Sequence, residues 1–266
     1  MSQAAIEQAI ELNGAAVALN KRAFAWGRIA AADPAALLEA STPSAPAAPQ
    51  ILDELLAARG AELAAYQDEA YAARYRTLVE LARGAEARIA PASEAFARSV
   101  AENAYRLMAY KDEYEVARLY GSAEFKASLA AQFSDTRRIS LWLAPPLLSR
   151  IDPATGRPTK RKFGPWILPA FTLLARLKFL RGSRFDPFGH THERRAERRL
   201  AEDYLAVMAS TCATLERDGL AQALLLAQLP QEVRGFGPVK EAAMQAYWNK
   251  QAELLAAPQA SLRTGT

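Results

Sequence analysis

Apolar residues recur at three- and four-residue steps along most of the chain, which predicts helix after helix. The first such segment runs from about Ser2 to Ala31 through Ile6, Ile10, Val17, Phe24 and Trp26, and Gly14 is its natural bend. A second spans about Ile51 to Ile89, with Leu52, Leu55, Leu63, Tyr66, Tyr75, Leu78 and Val79 on one broad face and Gly60 and Gly84 as possible breaks. A third covers Ser93 to Tyr120 through Phe96, Val100, Leu107, Met108 and Val116, and Gly121 closes it. A short helix follows over Ala123 to Phe133.

The pattern changes only once. In Arg138 to Leu143 polar and apolar residues alternate, which predicts a strand, and Lys160-Arg161-Lys162-Phe163 can return along it as a hairpin. Helices resume after Pro165, after Thr191 as a capping residue, over Leu220 to Leu229, and over Val239 to Leu255. The fold class expected is therefore mainly α, a bundle-like helical domain with at most one small β-hairpin. The stretch from Ser41 to Pro49 holds three prolines and no charge, so it divides the chain into an N-terminal helical segment (1–32), a linker (33–50), a helical domain (51–257) and a tail (258–266).

Composition removes several chemistries. A single cysteine, Cys212, excludes a disulfide framework, a four-thiolate cluster and a cysteine-rich zinc site, and its surroundings suggest a buried structural thiol. No apolar run reaches the ~18 residues of a membrane span. The acidic start of the chain does not read as a secretory signal, so the cytoplasm is the expected compartment. The net charge is +4, but between Arg150 and Arg199 thirteen basic residues face four acids. Such polarity suits an acidic partner or a phosphorylated cofactor. Nucleic acid is not expected, because the Arg150 to Lys162 turn lacks interleaved aromatics.

Four groups of residues are chemical candidates. His190 and His192, beside Glu193, have too few companions for a metal site, and a turn with one capping histidine is preferred. Arg234-Gly235-Phe236-Gly237-Pro238-Val239-Lys240 has the outline of a phosphate loop but lacks the third glycine and the preceding strand; a tight inter-helix turn is preferred, with Arg234 and Lys240 left as an anion clamp. Lys111, Asp112, Glu113, Glu115 and Arg118 read as a structural ion network with Lys111 and Glu115 four apart, the alternative being acid–base work by Asp112 or Glu113. Arg157, Lys160 and Arg161, with Arg194 and Arg195 on the Arg194 to Arg199 face, are candidate docking cations.

Several phrases together resemble the C-terminal region of the fused indolepyruvate:ferredoxin oxidoreductases, a branch of the 2-oxoacid:ferredoxin oxidoreductase family. They are AIELNGAAVALNKRAFAWGR, LMAYKDEYEVARLY, LAPPLLSRIDPATGRPTKRKFGPWILPAFTLLARLKFLRG, FDPFGHTHERRAERRL and LPQEVRGFGPVKEAAM. Pro238 departs from that family's phrase, in which histidine is expected. The resemblance implies that Ala9 to Arg28 corresponds to the closing helix of the gamma-type domain and that Ile51 onward corresponds to the C-terminal helical domain. That family decarboxylates aryl pyruvates oxidatively to acyl-CoA with ferredoxin as acceptor. The chain has no Gly-Asp-Gly thiamine-diphosphate motif and no cysteine set, so thiamine diphosphate and iron–sulfur clusters are expected on partner domains, none on this chain. The role implied is accessory, in assembly or docking with the catalytic domains and ferredoxin, and the isolated chain is not expected to be catalytic. The rival reading is a free-standing enzyme or metal-binding protein using Asp112/Glu113 or His190/His192.

Overall fold

A computed structural model describes residues 2–14, 16–33, 51–132, 140–144, 159–235 and 237–257. The chain divides into two units, residues 1–51 and 52–266. In the first, α1 (Gln3–Asn13) and α2 (Val17–Ala32) form a helical hairpin. Ser2 caps α1 by accepting from the Ala5 amide, and Gly14 ends it at φ +68°, a conformation that favours glycine. Lys21 pairs with Glu11 and Arg28 with Gln3, so α2 returns along α1. The pair buries no residue of its own: Leu12 and Leu19 stay exposed.

The second unit is mainly α. Its helices are α3 (Leu52–Tyr66), α4 (Glu69–Ile89), α5 (Ala95–Met108), α6 (Glu113–Gly121), α7 (Ala123–Gln132), α8 (Ile167–Arg176), α9 (His192–Thr214), α10 (Leu220–Gln228) and α11 (Pro238–Ala256). The expected hairpin is present: β1 (Leu141–Leu143) and β2 (Arg161–Phe163) pair antiparallel, Leu141 opposite Phe163 and Trp142 opposite Lys162. Thr191 caps α9 through the Arg194 amide. Among the described residues, no helix is long and apolar enough to cross a membrane.

Three expectations about continuity fail: the segment 2–31, expected as one helix bent at Gly14, is two helices because the left-handed Gly14 ends α1 and the chain turns back, and the other two fail for one shared reason. The segment 51–89 breaks at Gln67-Asp68 rather than at a glycine, and the segment 93–120 breaks at 109–112. In each case an aspartate stops the helix and starts the next, Asp68 accepting from the Tyr71 amide and Asp112 from the Glu115 amide, both at 2.8 Å. Gly60 is instead a packing site, where an added Cβ would lie 3.0 Å from an Arg76 guanidinium nitrogen.

The main core joins α3, α4, α5, α9, α10 and α11 around Leu63, Tyr75, Val79, Phe96, Val100, Met108, Tyr204, Met208 and Tyr247. Each such side chain contributes about 1.5–3 kcal/mol on burial. A smaller cluster of Ala117, Phe163, Ile167 and Phe171, backed by Leu141 and Leu143, seats the hairpin on α6 and α8. The one-turn helix Leu177–Leu180 then carries the chain towards the C-terminal end of α3.

Candidate functional site

At that end of α3, the last carbonyls have no helical partner and carry the negative pole of the helix dipole. Lys178 donates to Ala65 O at 2.7 Å, and Arg181 Nη1 donates to Tyr66 O at 2.7 Å. Arg181 also holds Asp112, with Nε on Oδ2 at 2.5 Å and Nη2 on Oδ1 at 3.0 Å, and its guanidinium lies 3.7 Å above the Tyr66 ring. Both partners are almost wholly buried. One arginine thus ties the C-terminal end of α3 to Asp112, the cap of α6.

The next turn repeats the device. Asp186, buried, accepts from the Gly182 amide at 2.7 Å, the Phe188 amide at 3.1 Å and the Tyr114 hydroxyl at 3.2 Å. Burial alone would raise its pKa, but these donors with the Gly189 amide hold it below the usual carboxylate range. A Cβ on Gly189 would lie 2.7 Å from Asp186 Cγ, so only glycine fits there.

Around α9, Arg194 bonds Glu113 at 3.0 and 3.3 Å and Glu197 at 2.6 Å, while Lys240 pairs with Glu197 from α11. Arg194 is therefore largely buried inside an ion network, and its place among the docking cations gives way to that structural one. Arg195 is exposed and donates to His190 O at 2.6 and 3.0 Å. Arg118 holds Glu115 through two bonds at 2.7 and 2.8 Å. The expected Lys111–Glu115 pair does not form, because Lys111 precedes the Asp112 cap and is not on α6. The sequence cluster is thus split among Arg181, Arg194 and Arg118 rather than closed on itself.

Both carboxylates of the acid–base reading, Asp112 and Glu113, are committed to these guanidinium partners. The histidines diverge: His190 Nε2 lies 3.4 Å from Arg184 O, and His192 Nδ1 lies 3.5 Å from a Glu241 carboxylate on α11. Among the described residues no group of three or more His, Cys, Asp or Glu is placed to hold a metal ion. Cys212 is the sole cysteine and is buried, with its thiol pushed up to about 11 by that burial, so this donor set does not fit an iron–sulfur cluster.

What the second unit does present is a face. On β2 and its approach, Lys160, Arg161 and Lys162 are exposed, and Arg176 and Arg184 are exposed further along. Between residues 159 and 192 the single acid, Asp186, is buried. Over the same elements Trp142, Trp166, Leu173, Phe179 and Phe185 are each more than 60% exposed. Arg157 lies outside the described residues. Large aromatics beside unpaired arginines are what partner-binding surfaces collect.

Residues 52–253 match a family profile. The chain belongs to the DUF6537 family, described as a family of unknown function. No curated protein and no solved structure matches. The DUF6537 span holds the whole of both ion networks and the exposed face, whereas α1 and α2 precede it.

Two parts of this arrangement escaped the sequence. Arg181 looks like an ordinary basic residue at the end of an apolar helix, and nothing local marks its bond to Asp112, 69 residues away. The exposed aromatics did have a signal: in Leu141-Trp142-Leu143 the inward positions are the leucines, so the two-residue period alone puts Trp142 on the outer face.

Proposed function

We propose that this chain is an accessory C-terminal segment or subunit of an indolepyruvate:ferredoxin oxidoreductase, acting in the cytoplasm in assembly or docking while partner domains or subunits carry thiamine diphosphate, the clusters and the decarboxylation. The phrases shared with that family motivate the reading. The observation that carries its docking part is the hairpin face, with exposed Lys160, Arg161 and Lys162 beside exposed Trp142 and Trp166 and no exposed acid from residue 159 to 192. A surface of that kind attracts an acidic protein by its field and holds it by aromatic burial. Ferredoxin is the acidic partner this reading names. Its clusters would come near the chain without any ligand from it.

The rival reading, a free-standing acid–base or metal enzyme, has against it the engagement of Asp112 and Glu113 and the divergence of His190 and His192. Titration calorimetry of ferredoxin into the chain tests the proposal. Binding is expected to weaken as salt rises and to fall at least tenfold in Arg157→Glu with Arg161→Glu. Salt-independent binding, or turnover of an aryl pyruvate by the chain alone, would overturn it.

A further inference from the structure

A second cationic feature lies away from the hairpin. Arg106 in the last turn of α5, Lys111 between α5 and α6, Arg234 before α11 and Lys240 in its first turn line one cleft of about 210 Å³, walled by Tyr110 and Glu197. Four cations thus share a space with one carboxylate. That carboxylate is already engaged, since Glu197 is buried and bonded by both Arg194 and Lys240. Arg106, Lys111 and Arg234 have no carboxylate partner among the described residues, and the one bond recorded for Arg234 is from Nε to the Gln231 carbonyl of its own turn, at 2.9 Å.

Arg106 and Lys111 from one stretch and Arg234 from another are exposed cations with no carboxylate to neutralise them, so their fields add at the cleft and favour an anion there. The N-terminus of α11 adds to the same field, less what Glu241 in its first turn offsets. Its capping residue, Gly237, offers no side-chain acceptor and Pro238 follows it, so the positive pole of this 19-residue helix has no side-chain cap. Gly235, at φ +97°, folds the turn so closely over that first turn that a Cβ would come within 2.8 Å of Val239 Cγ1.

The size of the cleft and the number of its free cations select the anion. A site for a drug-sized ligand or a whole cofactor is about 300–1,000 Å³, so 210 Å³ suits a small head group. Three free cations lining one cleft suit the three terminal oxygens and double charge of a phosphoryl group better than the planar pair of a carboxylate, which a single arginine fork satisfies. We infer that the cleft binds the phosphoryl group of a small phosphomonoester through Arg106, Lys111 and Arg234, with Lys240 at its edge. This assignment goes beyond the accessory role and does not depend on it.

Calorimetry at fixed ionic strength in a phosphate-free chloride buffer tests it, with inorganic phosphate and glycerol 3-phosphate as probes and the full chain as the macromolecule. Both probes are expected to bind saturably and to raise the melting temperature. Lys111→Gln with Arg234→Gln replaces two exposed side chains; it is expected to weaken both probes at least tenfold while the melting temperature without phosphate stays the same or rises. Lys160→Gln with Arg161→Gln, on the hairpin, is expected to leave binding intact. No saturable binding, equal affinity in the cleft variant, or an equal loss in the hairpin variant would overturn the site. Binding of inorganic phosphate without glycerol 3-phosphate would overturn the assignment to an ester.

Discussion

Arg181 and Asp112 show how a buried charge decides a local structure. The pair is removed from water, so its attraction must offset a desolvation cost of several kcal/mol per ion, and the surrounding bonds to Tyr66 O, Gln67 and the Glu115 amide supply the remainder. The expected signature is non-additive. Asp112→Ala leaves the Arg181 guanidinium buried without its anion and should destabilise by about 3–5 kcal/mol, whereas Asp112→Ala with Arg181→Met should cost clearly less than the two single changes summed. Chemical denaturation of the four proteins of that cycle measures it, and additive losses would show that the pair is not coupled. At this scale the sequence was legible in part. The Lys111 to Arg118 cluster marks a charged hub and its three-residue spacing does give the Glu115–Arg118 pair, but charge spacing along one segment says nothing about a cation arriving from residue 181 or 194, which is where Asp112 and Glu113 find their partners.

Helix ends are where the elements of this protein were hardest to read and where they are most informative. Thr191 was legible as a cap because a turn precedes it and helix-forming residues follow. Asp68 and Asp112 were not, because the apolar period runs on past them: Tyr71 and Tyr75 continue the stripe of Leu63, and Tyr114 continues that of Leu107. Asp is as good an N-cap as Ser, and two breaks followed from it. The hairpin was legible from the two-residue alternation, even though only three residues pair on each strand. A subtler end belongs to α5, whose own capping residue, Glu94, makes no side-chain capping bond. Glu86 from α4 replaces it, accepting from the Phe96 amide at 3.1 Å, the Ala97 amide at 2.9 Å and the Ser93 hydroxyl at 2.7 Å while almost wholly buried. Glu86→Ala removes the acceptor from two buried amides and a half-buried hydroxyl and should cost about 1–3 kcal/mol. Hydrogen exchange should quicken first at the Phe96 and Ala97 amides; unchanged protection there would contradict the cap.

For the whole molecule, two surfaces carry the functional argument, and they differ in how they hold charge. Arg181, Arg194 and Arg198 belong to the basic segment yet are spent internally on Asp112, Glu113, Glu197 and Asp186, so the raw count of thirteen bases overstates the free field. What remains outside is concentrated on the hairpin and its neighbours, with Trp142 and Trp166 beside it. The N-terminal hairpin has the complementary deficiency. It buries nothing between its own helices, and two short helices joined at Gly14 gain little stability without a surface to cover their apolar positions. Both features suit a chain that works against larger partners. The most direct test is sedimentation of this chain with the thiamine-diphosphate- and cluster-bearing domains of an indolepyruvate:ferredoxin oxidoreductase. A stoichiometric complex that dissociates with rising salt, and that Lys160→Glu with Arg161→Glu weakens, is the predicted result; independent sedimentation of the two at micromolar concentration would contradict the account.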